Sequence, residues 1–212
     1  MANYARSERE ALSALLEEVG PDAPTLCEGW QTADLAAHLV LRDRRPDAAA
    51  GIVIKALAGH TQRVQRRLRD SRSWPDLVAT VRRGPPLPVR IAAVDAQVNT
   101  AEYFVHHEDV RRARPGWEPR DLPVGEEQAL WARLKGLSRL VFRRSPVGVV
   151  LDAPGHGTTV ARRAKDGGSS VTISGPPSEL VLFASGRDAV ARVELHGDEQ
   201  AQAELRATAR RL

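Results

Sequence analysis

The sequence predicts an α+β protein: a helix bundle over residues 1–145, then a small α+β unit over 146–212. Three observations carry that reading. Up to residue 143, apolar side chains recur at helical intervals, and the interruptions are clusters of Pro and Gly. After Ser145-Pro146 the texture changes to short runs rich in Val, Thr and Ile, at 147–151, 158–161 and 170–174. With 212 residues, either part is long enough to bury a core.

The first helix spans residues 3–18, with Leu12, Leu15, Leu16 and Val19 as its apolar stripe and Gly20-Pro21 as its stop. Residues 21–31 form a loop. Thr32 then suits an N-cap, and a second helix runs to about residue 45 with His38 near its middle. Pro46 opens a further helical piece. Residues 53–69 read as one helix with Arg63, Arg66, Arg67 and Arg69 on a basic, solvated face. Ser73-Trp74-Pro75-Asp76 starts a short helix to Arg83, and Gly84-Pro85-Pro86-Leu87-Pro88 ends it. Val94, Val98, Ala101 and Val105 mark a helix over 94–113, stopped by Pro115-Gly116. A long helix over 125–143 completes four principal helices. Beyond the three β-rich runs lie a helix at 179–185, a strand at 189–195 and a closing helix at 198–210.

The net charge is +4, and only Lys55, Lys135 and Lys165 among the 31 basic residues are lysines. That Arg bias, with abundant Ala, points to GC-rich bacterial coding. The arginines are scattered without interleaved aromatics, which argues against nucleic acid as a partner. Cys27 is the single cysteine, so no intramolecular disulfide forms, and a reducing cytoplasm fits. A small buried hydrophobe is its expected role. The N-terminus has no apolar signal core and no run reaches the ~18 apolar residues of a membrane span. A cytoplasmic protein without a membrane partner is expected; the oligomeric state stays open.

The chemistry concentrates at residues 99–112, where Glu102 and His106 stand four apart. In a helix, positions i and i+4 share a face, so a carboxylate and an imidazole there converge on one ion. Asn99 and Asp109 lie three residues outside the pair and are placed to orient it. A solvated ion pair is the alternative for the same spacing. A third ligand must come from elsewhere, and His38 is the candidate, against the alternative of a core histidine bonded to a carbonyl. His107 points about 100° away from His106 on a helix and reads as structural.

Gly29-Trp30-x-x-x-Asp34-Leu35-x-x-His38-Leu39, then Glu102-x-x-x-His106, then Gly175-Pro176-x-x-Glu179-Leu180 with Gly186-Arg187, resemble the mycothiol-dependent maleylpyruvate isomerase family. Residues 99–112 further resemble an actinobacterial metal-binding subgroup. The resemblance implies a DinB-like metal-binding four-helix bundle over 1–145, with a sterol-carrier-like domain over 146–212. It implies a divalent metal, zinc before others, held by His38, Glu102 and His106. It also implies mycothiol as cosubstrate, with a small-molecule substrate or thiol as partner. No catalytic residue is assigned; Arg187 and His156 are available for substrate contacts in the second domain. The expected function is a mycothiol-dependent isomerase or S-transferase in which the metal activates a thiol. The alternative is a non-catalytic, metal-containing module that binds a small ligand.

Overall fold

The computed structural model describes residues 3–86, 92–165 and 167–208. Leu87, Pro88, residues 209–210 and the side chains of Val94 and Val98, all used in the sequence reading, lie outside what is described. The expected α+β class holds: helices precede and flank one four-stranded sheet. The chain divides into two compact units, Met1–Glu118 and Pro119–Leu212.

The first unit contains α1 (Tyr4–Val19), α2 (Thr32–Arg44), α3 (Pro46–Val53), α4 (Ala58–Asp70), α5 (Trp74–Arg83) and α6 (Ala92–Arg111). Asn3 caps α1 by accepting from the Arg6 amide at 3.0 Å, and Gly20, at φ 80°, ends it. α1 packs along α6 and α5, while α2 packs on α4, α5 and α3. The resulting core joins Leu12 and Leu16 to Leu35, Leu39, Leu77, Val81, Tyr103 and Val110. Burying each leucine there contributes on the order of 1.5–3 kcal/mol relative to leaving it exposed.

Two local expectations change. Thr32 is the first residue of α2 rather than its cap; its hydroxyl donates to the Gly20 carbonyl at 2.5 Å, and the Asp34 carboxylate accepts the Gln31 amide instead. The helix expected over 53–69 starts later, after a 3-10 turn at Lys55–Leu57. Helix α4 folds back against α3, and a Cβ on Gly51 would lie 2.1 Å from Thr61 Oγ1 and 2.5 Å from the Leu57 carbonyl oxygen. Only a residue without a side chain permits that reversal. Thr61 then closes it by donating to the Ala48 carbonyl.

The second unit holds α7 (Val124–Val141), β1 (Gly148–Ala153), β2 (Gly157–Arg162), β3 (Ser170–Ser174), α8 (Pro177–Ala184), β4 (Glu194–His196) and α9 (Glu199–Arg206). The sheet order is β2-β1-β3-β4, with β1 and β3 parallel and the other pairs antiparallel. The fourth strand is three residues long and begins at Glu194, later than the expected 189.

The change in composition after residue 145 marks where helices give way to strands. The change in packing comes earlier, between Glu118 and Pro119, and assigns α7 to the second unit. The reason is α7's own buried face. Leu130, Trp131 and Leu134 are covered, α7 packs on α8 and β2, and Trp131 Nε1 donates to the His156 carbonyl at 2.9 Å. A helix joins whichever core buries its apolar stripe, whatever the composition of its neighbours in sequence.

Candidate metal centre

α6 delivers Asn99, Glu102, His106 and Asp109 along one face by their spacing of three, four and three residues. α2 delivers His38 and, one turn on, Arg42. The two helices bring the expected trio together: His106 Nε2 lies 3.2 Å and His38 Nε2 3.7 Å from the same Oε1 of Glu102. The donor atoms of all three residues lie within 4.8 Å of one another. The two imidazoles meet nearly edge to face, with centroids 5.3 Å apart.

These separations fit a metal ion. Ligands bound tetrahedrally at about 2.0–2.1 Å stand roughly 3.3 Å apart, and the two nitrogen–oxygen distances bracket that value. The donor set of two imidazoles and a carboxylate suits zinc and its borderline neighbours. The protonation pattern agrees. The Asp109 carboxylate lies 2.9 Å from His106 Nδ1, and as an acceptor it fixes the ring with its proton on Nδ1. Nε2 is then directed at a carboxylate oxygen, a pair that a shared proton or a metal ion between them would satisfy.

Burial disfavours the charged form of His106, but hydrogen bonding to Asp109, Cys27 and Glu102 overrides it and holds the imidazole well above its usual value. Burial likewise opposes charge on Glu102, and the bonds from His106 and His38, with the charges of His106 and Arg42, hold it well below the ordinary carboxylate range. His38 moves the other way. Burial lowers its pKa, more than its bond to Glu102 raises it, which favours the neutral imidazole.

The loop before α2 roofs the site. Leu26 donates its amide to the Asp109 carbonyl at 3.0 Å, and the Thr25 hydroxyl accepts from the Cys27 amide and donates to the Trp30 carbonyl. Trp30 thereby stands with its ring centroid 5.1 Å from that of His38. Cys27 is half-buried and packs against the hydrophobic core, and its Sγ also donates to Asp109 Oδ2 at 3.2 Å. The 82-residue separation of that pair left no trace in sequence. Arg42 also reaches Glu102, and its i+4 spacing from His38 is the local signal that places it on this face. His107 faces α1 instead, with Nδ1 2.9 Å from Glu8 Oε2 and both side chains buried.

In the second unit, His156 occupies the β1–β2 turn and lines a cleft of about 400 Å³ with Arg120, Glu127, Ser178 and Arg192. Arg187 lies at the end of α8, where its Nη1 donates to the Ser185 carbonyl at 2.6 Å. Among the described residues no helix is long and apolar enough to cross a membrane.

No curated protein matches the chain by sequence. Two solved structures share its fold. The first is a crystal structure of the mycothiol-dependent maleylpyruvate isomerase, with 19% identity and a TM-score of 0.56 over 91% of this chain and 90% of that one. The second is a histidine-to-alanine mutant of such an isomerase, with 19% identity and a TM-score of 0.55 over the same shares. The family model described as the mycothiol maleylpyruvate isomerase N-terminal domain matches residues 5–135, past the end of the first compact unit and into α7. That match takes in more than half of the sequence, and the chain belongs to the mycothiol maleylpyruvate isomerase N-terminal domain family.

Proposed function

We propose that His38, Glu102 and His106 hold one divalent ion, best suited to zinc, and that the protein is a mycothiol-dependent isomerase or S-transferase. The observation that carries this reading is the convergence of both Nε2 atoms on one Glu102 oxygen at separations a tetrahedral ion requires. Membership of the family and the shared fold support mycothiol as the thiol. A divalent ion held by these residues would supply the charge that stabilises a thiolate at neutral pH. The chain's own residues do the rest. Asp109 holds His106 in the tautomer that presents Nε2, and Glu102 contributes the single negative charge of the ligand set. Trp30 and Cys27 in the roof restrict water over the imidazoles, which keeps the electrostatic interactions beneath them strong.

The test is to load purified protein with zinc and assay isomerisation of maleylpyruvate with and without mycothiol, then S-transfer to a panel of activated alkenes and alkyl halides. Turnover that requires both zinc and mycothiol is expected. A cobalt-loaded protein whose visible spectrum is unchanged by millimolar mycothiol would overturn the thiol reading and leave a small-ligand-binding module.

A further inference from the structure

Arg42 enters the site where no metal ligand is expected. Its Nε lies 3.1 Å from Glu102 Oε1, the very oxygen that faces His38 and His106. Its Nη1 donates to Asn99 Oδ1 at 2.6 Å and reaches Asp43 Oδ1 at 3.4 Å. Asp43 in turn accepts the Tyr103 hydroxyl, and Tyr103 lies under the Arg9 guanidinium. The fork is thus fixed on two sides, and its side chain is only 19% exposed.

An imidazole whose Nε2 ligates an ion has no proton there to donate, whereas a guanidinium keeps all its protons at any working pH. Of the three described groups around Glu102 Oε1, Arg42 is the one that would remain a hydrogen-bond donor with an ion bound. It therefore draws electron density from the ligand oxygen and sets a positive charge beside a dication.

From this geometry, and resting on the metal reading above, we propose that Arg42 is a positioning residue that weakens the site's hold on its ion in order to keep that ion electron-poor. It does so through Glu102, without touching the ion. A closed structural zinc site gains nothing from such a neighbour; a site that must bind and release an anionic thiol does.

The experiment measures zinc dissociation constants by competition with a chromophoric chelator, so activity is not the readout. Arg42→Met removes the charge at similar length, and affinity is expected to rise about tenfold. Arg42→Lys keeps the charge and is expected to stay within about threefold of the parent. Asn99→Asp leaves Arg42 in place but gives it a competing anion; it should tighten zinc binding a few-fold, and serves where Arg42→Met folds poorly by circular dichroism. Unchanged or weaker binding in Arg42→Met and Asn99→Asp, with the parent binding zinc normally, would overturn the proposal. A parent that binds no zinc would instead overturn the metal reading on which it stands.

Discussion

The α2–α6 face of the first unit and the cleft of the second both gather carboxylates, arginines and histidines, yet they use them differently. On the α2–α6 face the charged groups are turned toward one another: Glu102 meets two imidazoles and a guanidinium, and Asp109 meets His106 and Cys27. In the cleft, Glu127 and Glu179 each bond a main-chain amide. Glu127 accepts from the Ser178 amide at 2.8 Å and its hydroxyl at 2.7 Å, and Glu179 accepts from the Arg192 amide at 2.8 Å. Those bonds secure the start of α8 and the approach to β4. The same residue types make a candidate site where side chains converge, and a scaffold where they satisfy main-chain donors.

The contrast yields graded expectations. His106→Ala and His38→Ala should have the largest effect, lowering zinc affinity on the order of 100-fold or more while leaving the helical circular dichroism largely intact. Elemental analysis showing normal zinc in either variant would break the distinction between the two regions. Asp109→Asn should come next. It preserves size but replaces the charged acceptor of His106 with a neutral amide, at a cost of about 10–100-fold in metal affinity.

A pH series sharpens the same point. His106 is raised, so its contribution to the stability of the metal-free protein is full below about pH 6.5 and is lost as pH rises through the raised value. Glu102 is lowered, so its contribution is present above about pH 4.5 and is lost as pH falls through the lowered value. Zinc must displace the His106 proton, so affinity should increase with pH across the upper window, and binding at neutral pH should release a proton detectable with an indicator in weak buffer. Zinc affinity that does not vary with pH would remove the proton from between Glu102 and His106.

The second unit should respond in stability alone. Glu127→Ala leaves the Ser178 amide and hydroxyl without their acceptor and should cost about 1–3 kcal/mol in denaturant unfolding, with zinc affinity unchanged. The smallest effect is expected from Cys27→Ser, which keeps a donor toward Asp109; a change beyond about threefold in zinc affinity would mean that the thiol itself is a ligand.

Helical periodicity, the i, i+4 pairing of Glu102 with His106 and the shift to β-rich runs were all local properties, and the chain by itself determined them. The presence of the helices, the α+β class and the pairing of Glu102 with His106 were legible for that reason, whereas His38, on another helix, is no matter of local spacing. Three matters were decided only by tertiary packing. The allegiance of α7 depended on which core would bury Leu130, Trp131 and Leu134, and no pattern within a helix names its partner. Cys27 became a neighbour of Asp109 because the loop at 21–31 hydrogen-bonds to α6, a contact spanning most of the first unit in sequence. Arg42 acquired its role when α2 laid it against Glu102. Spacing along one helix shows which residues share a face; only the meeting of two helices shows what that face will hold.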